Sequence, residues 1–500
     1  MDEKMLKLKK PYDLVLLLTI SVVIRAFLAF KLELGNDEVY YWLYAKYPDW
    51  SHFDHPPMVG FIIQIFNLNL FFDSEFALRL GAIILGTTNL WLAFKIGCII
   101  KDRQLGIISS LLFFSSFYVS IISGMMILPD TPLTFFWLCS LYFLLKIIKD
   151  PDSIYNWFII GICIALAILS KYSAIYLWGG IFIFFTVFRQ KLSLKGFVLM
   201  NICAIIGLIP ILVWNIQNDW VSFGFHSTRV GGDSISLLYF LREVGGELIY
   251  HNLIIYFLIY LGLVKAFKGK LNFPKEYRSA ILFISIPLVL SIWIASLFKP
   301  TLPHWNGPAF LGLLFFAAFY LYDLRDKVRK TLMLSIACIM LLGLGAGYYQ
   351  IFYGKPVVLE NTSTKTLGRG DVSLDMYGWK QLKTSFVEVL DTYNNTKHIL
   401  CDNWFPAAHL DYYLADPLGL ELIVYGGLDK IHKYKWINSE RRQINSGENA
   451  FYITFTNEYR SPEPFNDLFE EVEPLETIPI VRNDRIVKFA HIYHLKNLRK

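Results

Sequence analysis

Charge is scarce in this chain. Only 18% of its 500 residues are Asp, Glu, Lys or Arg, whereas a soluble protein of this size carries about 25%. Hydrophobic residues make up 55% and aromatics 17%, with a mean hydropathy of +0.44. This balance excludes a disordered chain, a fibrous one and an ordinary soluble enzyme, and it demands many membrane spans. A disulfide framework is missing as well. Of Cys98, Cys139, Cys163, Cys203, Cys338 and Cys401, all but Cys401 fall in or beside apolar runs, with no zinc-type spacing. There is no internal repeat, no low-complexity stretch and no G-x-x-x-x-G-K-[ST] nucleotide loop. The net charge of +6 implies no nucleic-acid partner, because the basic residues form short clusters between apolar runs and act as topology signals.

A bilayer core takes roughly 20 apolar residues per helical span. Apolar runs near 12–32, 76–99, 105–125, 131–148, 155–170, 173–188, 197–214, 247–264, 279–298, 307–322 and 331–350 predict about 11 transmembrane helices. The fifth and sixth are short and parted only by Lys171-Tyr172. With the amino terminus cytoplasmic, the clusters Lys4/Lys7/Lys9/Lys10, Lys101/Arg103, Arg189/Lys191/Lys195, Lys265–Arg278 and Arg325/Lys327/Arg329/Lys330 all lie inside. Only isolated cations such as Lys31, Lys46 and Lys171 fall outside. The first run carries no clear small-residue cleavage site and is expected to remain as an anchor. Residues 1–350 therefore form the membrane domain, with a first outer loop over 34–74. The segment 59–72 is apolar but short and is expected to lie in the interface. Residues 351–500 are more polar. Their short apolar stretches near 398–402, 420–425, 451–455 and 486–493, with an amphipathic segment at 379–393, predict a small α/β domain on the outer face.

The first outer loop holds unusual chemistry for a connector: Gly35-Asn36-Asp37-Glu38-Val39-Tyr40-Tyr41-Trp42, then Trp50-Ser51-His52-Phe53-Asp54-His55-Pro56-Pro57-Met58. Asp37 follows the first span closely, so it suits a general base acting on an acceptor hydroxyl. Asp37 and Glu38 equally suit the positive end of an interfacial helix. In Leu128-Pro129-Asp130-Thr131-Pro132 the prolines fix the backbone around Asp130, which also suits an N-cap. Lys171 sits at an outer turn, where nothing in the topology forces a cation; it can hold a phosphate or snorkel. Arg229, His304 and Trp305 project outward and can bind phosphate or stack on a sugar. Arg25 lies inside an apolar span, where a charge costs roughly 2.5 kcal/mol or more at the centre of an isolated helix. It must face a protein cavity or the headgroups, and an anionic lipid phosphate is a suitable partner.

The order of Asp37-Glu38, Phe53-Asp54-His55-Pro56-Pro57-Met58, Pro129-Asp130-Thr131-Pro132, Leu169-Ser170-Lys171-Tyr172 and Pro303-His304-Trp305 resembles glycosyltransferase family 39 over about residues 12–350. Ala407-Ala408-His409-Leu410-Asp411-Tyr412-Tyr413-Leu414 extends the likeness into the tail. The chain is similar to the aminoarabinose transferases of that family and, more distantly, to the protein O-mannosyltransferases. The resemblance implies a GT-C fold with a catalytic cavity at the outer membrane face. It also implies a polyprenyl-phosphate-sugar donor and inversion at the anomeric carbon. In that pattern Asp37 is the catalytic base, Asp130 the second acid of the cavity, and Lys171 a cation near the donor phosphate. One departure stands out. The aminoarabinose transferases carry Glu-Lys before the paired prolines, and this chain has Asp54-His55. That leaves open both the sugar and the acceptor, be it an envelope lipid, glycan or protein. His55 can still donate to phosphate, or join Asp54 at a divalent metal; no cofactor is otherwise implied. The expected home is a bacterial inner membrane, with the tail periplasmic. A transporter or flippase of envelope glycolipids is the main rival class, since it too has many spans and few intramembrane charges. A non-catalytic envelope scaffold is a third.

Overall fold

The computed structural model describes residues 12–228, 234–355 and 366–499. The chain divides into two compact units. The first comprises residues 1–31 and 48–342, the second residues 32–47 and 343–500. The second unit thus takes in Leu32–Tyr47, which follows the first long helix, together with the C-terminal residues.

In the first unit every apolar run is helical, but the runs differ in length. Seven helices among the described residues are long and apolar enough to cross a membrane: Tyr12–Lys31, Glu75–Ile100, Asp130–Lys149, Leu194–Gln217, Lys275–Ser296, Pro303–Tyr322 and Asp326–Tyr353. An eighth is added if Leu237–Tyr250 and Leu253–Phe267, bent by 103°, count as one broken span. The other runs fall short for local reasons. The run near 105–125 becomes a helix at Arg103–Phe114, a break at Ser115-Ser116 and a π-helical turn at Tyr118–Ile122. Ile154–Ile168 and Ala174–Phe188 have 15 residues each, about 22 Å of helix. Of the expected spans, about 11, seven are thus long single helices among the described residues, or eight with the bent pair. Loop polar residues start several helices: the side chains of Ser74, Asp102, Ser153 and Ser193 each accept a hydrogen bond from a first-turn N–H. The apolar core of this unit is built largely from Leu, Ile and Phe of the helices, with Trp137 and Trp157 fully buried. The segment after His55-Pro56-Pro57 forms the nine-residue helix Met58–Phe66, too short to cross a bilayer.

The second unit is the α/β structure read from the tail. Strands β1 (His398–Cys401), β2 (Glu421–Val424), β3 (Ala450–Phe455), β4 (Phe469–Arg482) and β5 (Arg485–Leu498) form one sheet in the order β2-β1-β3-β5-β4. β1 runs parallel to both β2 and β3; β3–β5 and β4–β5 are antiparallel. β1 and β3 are buried throughout, as expected of central strands covered on both faces. The amphipathic segment is the helix Trp379–Thr392, which buries Trp379, Leu382, Phe386 and Val389. β4 is the strand that composition concealed. It is rich in Glu, contains Pro474 and Pro479, and lies at a sheet edge, where an absent N–H is tolerated.

Candidate active site

Two turns of the first unit are tied together through the main chain. The N–H of Met58 donates to the carbonyl of Leu169 at 3.0 Å. This bond brings the His55-Pro56-Pro57-Met58 motif against Leu169-Ser170-Lys171-Tyr172, although the two are far apart in sequence. The short helix Val221–Ser227 closes over them. His226 Nε2–H donates to the carbonyl of Asp54 at 2.9 Å, and the Tyr172 and Ser222 hydroxyls are 2.9 Å apart.

The charged centre is an ion pair. Lys171 Nζ donates to Asp130 Oδ2 at 2.8 Å, with side-chain exposures of 10% and 3%. Asp130 Oδ1 accepts from the Tyr118 hydroxyl at 2.9 Å. Both carboxylate oxygens thus carry a hydrogen bond, and Asp130 holds the Lys171 ammonium in place. An ammonium has three N–H donors, and this ion pair uses one of them. Tyr118 is held by its own surroundings. It opens the π-helical turn, a feature frequent at functional sites. Its ring also fills the space beside Gly307, where an added Cβ would lie 2.1 Å from the ring.

Beside the ion pair is a cavity of about 400 Å³. Lys171 and His55 supply polar groups to its wall, while Tyr172, Tyr176, Phe223 and Trp305 supply aromatic faces. His304, next to Trp305, lies within electrostatic reach of both Asp130 and Lys171. Burial pushes the His55 pKa down to about 3; Asp54 opposes the shift, and Lys171 and His226 add to it. At neutral pH His55 is therefore an uncharged hydrogen-bonding group. It does not replace the positive charge of the lysine that the aminoarabinose transferases carry there. Asp54 is itself buried. Among the described residues no group of three or more His, Cys, Asp or Glu side chains gathers as metal ligands, so Asp54 and His55 acquire no third partner of that kind.

Arg25 lies elsewhere, with protein carbonyls as its partners. It is fully buried against the π-helical turn, donating through Nε to the Ser120 carbonyl at 3.2 Å and through Nη2 to the Val119 carbonyl at 3.4 Å. The turn disrupts the regular helical ladder, and the guanidinium satisfies carbonyls that the irregular backbone presents. Arg229 lies outside the described residues.

Asp37 and Glu38 belong to the second unit, in the helix Asn36–Lys46. The two adjacent acids part company there. Glu38 is buried, and its Oε2 accepts from the Gly35 N–H at 3.0 Å, closing the start of its own helix. This is the capping place at the start of an interfacial helix that the sequence also offered for Glu38. Asp37 is exposed in the same first turn.

The motifs did not single out Tyr118, Tyr172, His226, Glu243 or Glu247. Tyr172 and His226 stood inside segments chosen for their neighbours. Glu243 and Glu247 carried the stronger signal, since acids in an apolar run are costly unless they are paired. Both are buried. Glu243 Oε2 accepts from the Thr301 hydroxyl at 2.6 Å; Glu247 Oε1 accepts from Asn306 Nδ2 at 2.6 Å and from Trp293 Nε1 at 3.0 Å. Together they clamp the segment that carries His304 and Trp305.

The comparisons with known proteins agree with this architecture. Residues 54–214 match the family described as dolichyl-phosphate-mannose-protein mannosyltransferase. Those residues include Asp54, His55, Asp130 and Lys171. The chain is similar to membrane glycosyltransferases of the GT-C type.

Among solved structures, ArnT from Cupriavidus metallidurans in the apo state aligns over 95% of this chain and 97% of its own, with a TM-score of 0.62 and 15% sequence identity. The same protein bound to undecaprenyl phosphate aligns with identical values. The archaeal oligosaccharyltransferase AglB from Archaeoglobus fulgidus, in complex with an inhibitory peptide and a dolichol-phosphate, has a TM-score of 0.49 at 13% identity, over 81% of this chain and 64% of its own. No curated protein matches the chain. The fold is that of ArnT, a multi-pass membrane architecture with a small C-terminal sheet domain.

Proposed function

We propose that this protein is an integral-membrane glycosyltransferase. It moves a sugar from a polyprenyl-phosphate donor to an envelope lipid, glycan or protein at the periplasmic face of a bacterial inner membrane, with inversion. The observation that carries this reading is the Lys171 ammonium, anchored by buried Asp130 on the wall of a cavity with aromatic and apolar sides. A phosphate needs the cation, a sugar suits the aromatic faces, and a prenyl chain suits the apolar ones. The likeness to an ArnT structure bound to undecaprenyl phosphate supports the same donor class.

The chemistry is a displacement. The acceptor oxygen forms a bond to the anomeric carbon, and the bond from that carbon to the phosphate oxygen breaks. The phosphate leaves with the electron pair. Lys171 stabilises its developing charge, joined by Arg229, in a site poor in water. His55 donates a neutral hydrogen bond, and Trp305 and His304 pack on the sugar. Asp37 takes the acceptor proton. The donor is already activated, so the reaction needs no nucleotide.

Deletion of the gene followed by mass spectrometry of envelope lipids, glycans and proteins is expected to reveal the loss of one hexose, pentose or amino-sugar mass. An unchanged envelope would reject the reading. Asp37→Asn is expected to fold and insert, yet to lose transfer by about 100-fold or more; near-normal transfer would remove Asp37 from the base role.

A further inference from the structure

The second unit grips the chain on both sides of Asp37. Glu33 supplies the start of the helix Trp379–Thr392. Its two carboxylate oxygens accept from the N–H groups of Trp379 at 2.9 Å and Lys380 at 3.1 Å. That helix has no cap of its own, because its N-cap residue is Gly378, which has φ +93 and no side chain to accept a bond. A residue from the other end of the sequence therefore closes it. Leu34 is held by both main-chain groups. Its N–H donates to the Tyr413 hydroxyl at 2.8 Å, and its carbonyl accepts from His409 Nε2–H at 3.0 Å. Asn36 Nδ2 donates to Asp375 Oδ2 at 3.0 Å. Beyond Asp37, Tyr47 ends the helix with its carbonyl on Lys433 and its hydroxyl on Arg441. His409 is sandwiched in turn, with its ring 4.0 Å from that of Trp379 and 6.1 Å from that of Tyr413.

The bonds fall on residues 33, 34, 36 and 47, and the exposed Asp37 side chain stands between them. A segment that served only as a tether between two units would need no such fixing. An acid that must meet a hydroxyl in one geometry does need it, because a misplacement of about 1 Å can reduce a rate about 100-fold.

We infer that the C-terminal unit is a positioning device for the Asp37 helix, with Glu33, Tyr413 and His409 as the positioning residues that set the orientation of the carboxylate. This rests on Asp37 being the base. The unit then acts on the chemical step through Asp37 and leaves binding of the lipid donor alone.

The test is a double-mutant cycle on the full-length protein in proteoliposomes, with an undecaprenyl-phosphate sugar as donor. Tyr413→Phe removes a single hydroxyl, and Glu33→Gln removes one of two acceptor contacts. Each is expected to lower kcat by about 10- to 100-fold with the donor KM unchanged, alongside the modest fall in the unfolding midpoint that loss of a cap or buried hydrogen bond brings. In an Asp37→Asn background neither substitution should lower the residual rate further, because the group they position is gone. Wild-type kcat in both variants would overturn the inference. So would an equal loss in the Asp37→Asn background, which would mark a purely structural role, or a loss confined to donor KM. If Asp37→Asn itself keeps wild-type kcat, the base reading fails and the inference fails with it. If Asp37→Asn is inactive while Tyr413→Phe and Glu33→Gln are fully active, the inference fails alone.

Discussion

Lys171 has two separable duties, as partner of Asp130 and as proposed cation for the donor phosphate, and one set of substitutions divides them. Lys171→Met keeps the length and much of the volume of the side chain but removes the charge. Asp130 is then left nearly fully buried, with the Tyr118 hydroxyl still donating to it. Breaking a buried pair by removing one partner typically costs about 3–5 kcal/mol, because the remaining charge is uncompensated. The low exposures of 10% and 3% make this the relevant regime, rather than the value of about 0–1 kcal/mol for a surface pair. Asp130→Asn in the same chain removes the stranded charge. The double variant should therefore recover most of the lost stability, which requires an interaction energy between the sites at least as large as the single loss of about 3–5 kcal/mol. Thermal or denaturant unfolding of the purified protein in detergent measures this cycle, and transfer from an undecaprenyl-phosphate sugar is measured on the same preparations. Stability is expected to fall in each single variant and return in the double, while transfer stays lost in all three. Recovery of transfer in the double variant would refute the reasoning about the phosphate and reduce Lys171 to a counter-ion. Undiminished stability of Lys171→Met would refute the burial argument.

Arg25→Met strips the Val119 and Ser120 carbonyls of their side-chain donor. At about 1–3 kcal/mol for a buried polar group left unsatisfied, it is expected to lower the unfolding midpoint without changing donor KM, and a raised donor KM would restore Arg25 to the binding site. Gly307→Ala drives a Cβ to within 2.1 Å of the Tyr118 ring; overpacking of about 1–3 kcal/mol and a displaced Tyr118 should reduce both stability and transfer, and wild-type values for both would contradict the packing. Burial holds His409 at a pKa of about 3, against its ordinary 6.5. Between those values the unfolded chain binds the extra proton, so the stability this group contributes is full above pH 6.5 and falls as the pH drops, by about 2 kcal/mol at pH 5. Protection against hydrogen exchange in the helix Trp379–Thr392, after allowance for the slower intrinsic exchange at lower pH, should fall between pH 7 and pH 5. His409→Asn should flatten that change, and an undiminished acid response in the variant would show that another group is responsible.

Sequence reading and structure part company at specific places. The long apolar runs of residues 12–32, 76–99 and 131–148 predicted spans that the structure contains, because twenty apolar residues in a row have few other solutions. The run at 105–125 did not become one continuous helix. Hydropathy measures how apolar a segment is, and it is blind to the break at Ser115-Ser116 and to the Arg25 side chain that satisfies the irregular backbone there. Glu38 and Asp37 were indistinguishable in the sequence. One residue of helical rotation buried the first as a cap and left the second exposed.

Local patterning alone determined the class of this protein. Long apolar runs made it a membrane chain, short apolar stretches in the tail marked four of the five strands, and the motifs pointed to a resemblance to one family. Tertiary structure decided which of those residues work together. A main-chain bond from Met58 to Leu169 joins His55 to the neighbourhood of Lys171, and Asp130 takes both Lys171 and Tyr118. Leu32–Tyr47 folds with a domain whose other residues begin some three hundred positions later. Such pairings cross long stretches of chain, and each depends on a hydrogen bond or buried charge satisfied only once the whole unit has closed. No local window of sequence carries that information.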